Sequence, residues 1–241
     1  MTDAAATGTE QPSADLPDLR IDIVSDVVCP WCVIGFLQLR AALDDLEEDA
    51  IVRWHPFELN PEMEADGQNL REHVKEKYDA SPEDSQKARE AITALAGEHG
   101  FAINFAEDTR IYPTFQAHQL IAWASTKGAA HRLKMALFKA YFTDRLKVSD
   151  PAVLADCAEL AGLDRTEALT VLEGDQFAEA VKAAEAVWTQ NGINGVPAMI
   201  FQGRLLVQGA QGVENYKEIV RQVKAGLADQ IAEEGGEAPQ A

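Results

Sequence analysis

Cys29 and Cys32 enclose Pro30 and Trp31 at the point where the apolar run Ile21-Asp22-Ile23-Val24 gives way to a helical pattern. Two thiols at that spacing, at the start of a helix, form a redox couple that can close into a short disulfide. A sulfur at the cap position faces unpaired backbone amides and the positive end of the helix dipole, which favours its thiolate. Pro30 suits the first helical position, where a missing N–H costs nothing, so the amides of Trp31 and Cys32 are expected to face the Cys29 sulfur. A zinc site would need further ligands. Apart from the pair there is Cys157, and the five histidines at 55, 73, 99, 118 and 131 show no metal-type pairing, so no metal is expected. Cys157 shares an apolar helical stripe with Leu154 and Ala161 and reads as a core residue. Two cysteines falling three apart by accident is the bland alternative, and the strand-then-helix context weighs against it.

A chain of 241 residues, 46% of them hydrophobic, can bury a large core and is long enough for a domain carrying an insertion. Three cysteines cannot all pair within the chain, which argues against a secreted disulfide scaffold and for a reducing, cytoplasmic setting. A formal charge of −19 disfavours phosphate backbones and anionic membrane surfaces, so neither nucleic acid nor membrane is an expected partner. Residues 1–18 carry no basic start and no apolar run, and with the acidic stretch 229–241 they are expected to be disordered tails.

Between these ends the pattern opens β-α-β. A strand from Leu19 leads into the helix after Cys29, and a second strand spans Ile51 to Leu59, its Pro56 suggesting an edge position. Residues from about 63 to 190 read as almost wholly helical. N-terminal signals stand at Ser81-Pro82, Asp150-Pro151 and Asp164, and four apolar stripes centre on Ala88–Leu95, Ala117–Ala124, Leu133–Tyr141 and Leu154–Ala161. Then Ala198–Phe201 and Leu205–Val207, separated by Gln202-Gly203-Arg204, form an antiparallel hairpin. A last helix carries Val213, Tyr216, Val220, Val223 and Leu227 on one face.

That order, with the dithiol on the first helix and Gly195-Val196-Pro197-Ala198 leading into the hairpin, resembles a thioredoxin-like α/β fold with an inserted all-α domain, as in the DsbA family. Asp26-Val27-Val28-Cys29-Pro30-Trp31-Cys32, Pro56-Phe57-Glu58-Leu59-Asn60-Pro61 and Gly209-Ala210-Gln211 are similar to the FrnE-like, cytosolic branch. The resemblance implies a thioredoxin-like domain in two parts, 19–62 and 186–228, around a helical insertion at 63–185. It also implies that Cys29 is an exposed nucleophile, Cys32 the resolving thiol and Pro197 a cis proline facing them. Such a proline leaves the Val196 backbone free to pair with an extended substrate, with Pro30 and Trp31 completing the contact surface. From the residues alone, an ordinary trans proline opening a strand fits Pro197 equally well.

The expected activity is thiol–disulfide exchange with protein or small-thiol substrates, needing no cofactor beyond the dithiol, with glutathione the candidate co-substrate. The oligomeric state is not legible. A neighbouring branch of the fold holds glutathione-dependent isomerases and transferases, with serine in the first cysteine position; Cys29 departs from that pattern. A chaperone-like binding module is the other alternative. Asp26 could relay a proton to Cys32 if buried, but reads more simply as a solvated or capping residue. Asn60 could contact a small substrate or simply turn the chain beside Pro61.

Overall fold

The structure, a computed structural model, describes the backbone over 19–235 and the side chains over 19–226. Residues 1–18, expected as a tail, and the Leu227 side chain, expected on the last helix's apolar face, lie outside the described residues.

Strand β1 (Leu19–Ser25) is buried along almost its whole length, because it is paired on both sides. It runs parallel to β2 (Ala50–Pro56), in register from Leu19↔Ala50 to Ser25↔Pro56, and antiparallel to β5 (Ala198–Phe201). β6 (Leu205–Gln208) pairs with β5 and completes the order β2-β1-β5-β6. Pro56, which cannot donate to a ladder, therefore ends an edge strand. The β5–β6 turn is tight because Gln202 and Gly203 both take positive φ, 52° and 67°.

Helix α1 (Pro30–Asp45) crosses over between the two parallel strands. Its Phe36, Leu39 and Leu43 pack with Ile21, Ile23, Met199 and Phe201 of the sheet. Tyr216 and Val220 of α9 (Val213–Gly235) join the same core. α9 continues through 229–235, part of the stretch read as an acidic tail; its Ala, Gln and Glu are good helix formers, so the acidic composition does not stop the helix.

Seven α-helices lie between β2 and β5 among the described residues: α2 (Leu70–Tyr78), α3 (Pro82–Glu98), α4 (Phe115–Thr126), α5 (Ala130–Phe138), α6 (Pro151–Leu160), α7 (Arg165–Glu173) and α8 (Ala178–Gln190). A π-helical turn (Lys139–Thr143) follows α5, and a short ribbon joins β3 (Gln68–Asn69) to β4 (Arg110–Ile111). The four apolar stripes correspond to α3, α4, α5 and α6. Helices α2 and α8 escape that reading because they bury too little to show a stripe, no residue on α2 and Val181 alone on α8. α8 also crosses the boundary expected at 185 and ends at Gln190. The capping signals hold, since Ser81, Asp150 and Asp164 each accept a backbone N–H of the helix that follows.

The insertion is continuous with the start of α1. Val27, Val28, Cys29, Cys32, Val33 and Ile34 share one hydrophobic cluster with Leu120, Leu133, Leu137 and Leu154. The dithiol therefore sits where the sheet unit and the helical unit meet.

Candidate active site

Cys29 is the N-cap of α1 and Pro30 its first residue, as the sequence requires. The sulfur is oriented differently from expectation. It makes no capping bond to the amides of Trp31 or Cys32; the Cys32 N–H instead donates to the Cys29 carbonyl at 3.1 Å. The Cys29 Sγ–H donates to the Val196 carbonyl at 3.6 Å, across 167 residues of chain. A neutral thiol is a weak acceptor but can donate, so it turns toward a carbonyl rather than toward N–H groups.

That contact brings the far loop over the motif. The Val196–Pro197 peptide is cis, and Pro197 Cγ lies 3.3 Å from where a Cβ on Gly35 would stand. Glycine at 35 is what allows α1 to approach this loop so closely. The covering loop also corrects the expectation of an exposed nucleophile: Cys29 is 4% exposed and Cys32 fully buried. Trp31 carries the outward surface of the motif at 42% exposure, with Pro30 half-buried beside it. All three cysteines are free thiols. Burial, and then the adjacent Cys29 sulfur, push the Cys32 thiol well above its ordinary value, while Lys134 pulls the other way.

Beneath the dithiol lies a set of buried polar groups. Asp26, expected in solvent, is enclosed because Val27 and Val28 after it are drawn into the core and the insertion closes over the loop. Its Oδ2 accepts from the Leu59 N–H at 2.8 Å, and its Oδ1 stands 3.5 Å from His118 Nε2. Burial opposes its charge, but His118, the Leu59 amide and Lys134 outweigh burial and hold the carboxyl below its usual range. Burial holds His118 below its usual value, against the pull of Asp26. Lys134, 1% exposed, points its ammonium toward the Ser25 carbonyl at 3.4 Å and lies over the rings of Trp54 and Phe138. Burial pushes Lys134 down to about 8, opposed by Cys32, Asp26 and Cys29.

Sequence reasoning missed His118 and Lys134. Lys134 had a signal, since three and four positions on it meets Leu137 and Phe138 on the buried face of α5. A second missed pair lies nearby, on the loop after β2 and on α8. Burial, with neighbouring negative charge, pushes the Glu58 and Glu185 side chains up to about 7. Other residues take structural roles. Asn60 Oδ1 accepts from Lys77 Nζ at 2.7 Å, which also holds the Leu59 carbonyl, so Asn60 fixes the turn. Cys157 is a core residue, with burial pushing its thiol to about 11. Among the described residues no cluster of His, Cys, Asp and Glu could hold a metal, and no helix is long and apolar enough to cross a membrane.

The mixed four-stranded sheet, with the dithiol at the start of its first helix and the cis Val196–Pro197 loop beside it, is a thioredoxin-like arrangement. The chain belongs to the DSBA-like thioredoxin domain family, whose model matches residues 20–221, and is a disulfide oxidoreductase of that class. It is similar to SCO1869 of Streptomyces coelicolor, a probable DsbA oxidoreductase whose crystal structure superposes with a TM-score of 0.79 at 28% identity, covering 92% of this chain and 93% of that one. It is also similar to the uncharacterized protein YwbO of Bacillus subtilis, 24% identical over 203 residues, 84% of this chain and 96% of that protein. The cytosolic disulfide reductase DsbM of Pseudomonas aeruginosa, solved with GSH, shares the fold with a TM-score of 0.55 at 17% identity, over 89% of this chain and 100% of that one.

Proposed function

We propose that the chain exchanges disulfides with protein or small-thiol substrates through Cys29 and Cys32. The Cys29 thiolate attacks a substrate disulfide and expels one substrate thiol. Cys32 then attacks Cys29, releases the second substrate thiol and leaves a Cys29–Cys32 disulfide; the reverse sequence donates a disulfide. Cys29 is the sulfur a substrate meets first, because it keeps what exposure the pair has. Once ionised, Cys29 can no longer donate to Val196 and its favourable partners become the amides at the start of α1. That turn frees the Val196 carbonyl for a substrate backbone, while Trp31, Pro30 and Pro197 line the approach.

The observation that carries this reading is the contact of Cys29 Sγ with the Val196 carbonyl, which joins the dithiol to the distant proline loop. The similarity of the quoted motifs supports a place in the FrnE-like branch, and the cysteine usage supports a cytoplasmic setting with glutathione as a co-substrate. The experiment is a Cys32→Ser trap in cells: mixed disulfides on Cys29 with protein chains are expected. Recovery of no adduct, or tight binding of reduced glutathione without a mixed disulfide, overturns the reading.

A further inference from the structure

Strand β6 ends the sheet without the usual defences of an edge. Leu205-Leu206-Val207-Gln208 holds no charge and no proline, and the large apolar Leu205 and Leu206 are 39% and 43% exposed. Acidic residues are missing around it as well. The chain carries no Asp or Glu between Glu185 and Glu214, in a molecule of net charge −19, and the α9 residues that share a small cavity with Leu205 are Gln222, Val223 and Gly226. Two copies of so acidic a chain repel each other least where such surfaces meet.

The backbone of this edge is complementary to itself. The Gly209 N–H donates to the Pro197 carbonyl at 2.8 Å, and the β5–β6 register sets Met199 against Val207 and Phe201 against Leu205. Ladder bonds alternate along an antiparallel pair, so Leu205 and Val207 bond inward to β5. The N–H and C=O of Leu206 and of Gln208, with the C=O of Arg204, therefore point outward. At the two ends, the groups such an edge would not use are already engaged. The Arg204 N–H donates to the Phe201 carbonyl, and the Gln208 carbonyl accepts from the Gln211 side chain. What remains is two donors, on Leu206 and Gln208, and two acceptors, on Arg204 and Leu206.

We propose that the protein associates with a second copy of itself through β6, antiparallel about a twofold axis at Leu206, joining the two four-stranded sheets into one. In that register Leu206 exchanges both its hydrogen bonds with the second copy's Leu206, and each Gln208 N–H meets the facing Arg204 carbonyl, so every remaining group is used. The side chains agree with the backbone. Leu206 opposes its own counterpart on one face, and Leu205 opposes Val207 on the other. Arg204 faces Gln208, so no like charges stand opposite each other. The joined edge ends one residue before Gly209, whose bond to Pro197 ties it to the loop beside the dithiol.

Sedimentation velocity from micromolar to millimolar chain tests this. Wild type is expected to pass from the mass of one chain to that of two, more readily at high salt, which screens the repulsion between acidic copies. Leu206→Pro removes an outward N–H that the single chain does not use; it costs two of the four intermolecular hydrogen bonds and should raise the dissociation constant about 30-fold. Leu206→Lys sets like charges opposite each other, should weaken association about 10-fold, and serves if the proline variant fails to fold. Cross-linking reads the register in a Cys29→Ser/Cys32→Ser/Cys157→Ala background. There Leu206→Cys should close a disulfide between copies under mild oxidation, because facing hydrogen-bonded residues stand about 5.5 Å apart, and Gln208→Cys should not. A chain that stays single at every concentration overturns the proposal and leaves the edge to an extended peptide. Association unchanged by the Leu206 substitutions, or equal cross-linking of both cysteine variants, overturns it as well.

Discussion

Glu58 and Glu185 meet between the loop after β2 and α8, each held near 7 where an unfolded chain would hold it near 4.5. The folded state thus keeps protons that the unfolded state has lost across this interval. Stability is whole below pH 4.5 and is lost as pH rises through 7. A displacement of that size corresponds to about 3 kcal/mol per carboxylate for a fully enclosed group. Both side chains are only half enclosed, and solvent screening reduces this to about 1 kcal/mol. Glu185→Gln removes one charge and relieves Glu58 while keeping the size of the side chain. Urea denaturation followed by tryptophan fluorescence at pH 4.5, 6, 7 and 8 is the assay. The variant should match wild type at pH 4.5 and exceed it by about 1 kcal/mol at pH 8. A gain independent of pH, or a loss at pH 8, refutes the reasoning.

Other outcomes follow from the same geometry. Gly35→Leu drives a side chain into Pro197, Met199 and the Ala210 backbone, and should lower stability by about 1–3 kcal/mol, read by thermal denaturation, together with a fall in kcat/KM. Cys157→Ala should leave turnover unchanged and destabilise by about 1–2 kcal/mol, because the thiol packs as a small apolar group. In Cys29→Ser, the buried and elevated Cys32 should resist iodoacetamide at pH 8 in the folded chain and react on addition of urea; equal labelling in both states counts against its burial.

Much of this architecture was legible because its signals are local. The dithiol marks a helix start, and Gln202-Gly203-Arg204 between apolar runs marks a hairpin. Ser81, Asp150 and Asp164 announce the helices after them. What was not legible depends on enclosure by distant chain. Asp26 has the sequence context of a loop carboxylate, and nothing local shows that the insertion closes over it. His118 sits among Ala117, Gln119, Leu120 and Ile121 with no partner in sequence, since Asp26 lies on another element. The Cys29 sulfur could be assigned to a helix cap but not to a carbonyl 167 residues away.

The central strand has a consequence for how the molecule is made. β1 obtains its antiparallel neighbour from a segment translated about 180 residues later, which at about 5–20 residues per second leaves one ladder edge bare for about 10–40 s on the ribosome. During that interval both thiols have already emerged, while the loop that will shelter Cys29 does not yet exist. The nascent enzyme is therefore most open to adventitious oxidation before it can catalyse anything. Synthesis under reducing conditions keeps both thiols intact until the late loop has folded over them.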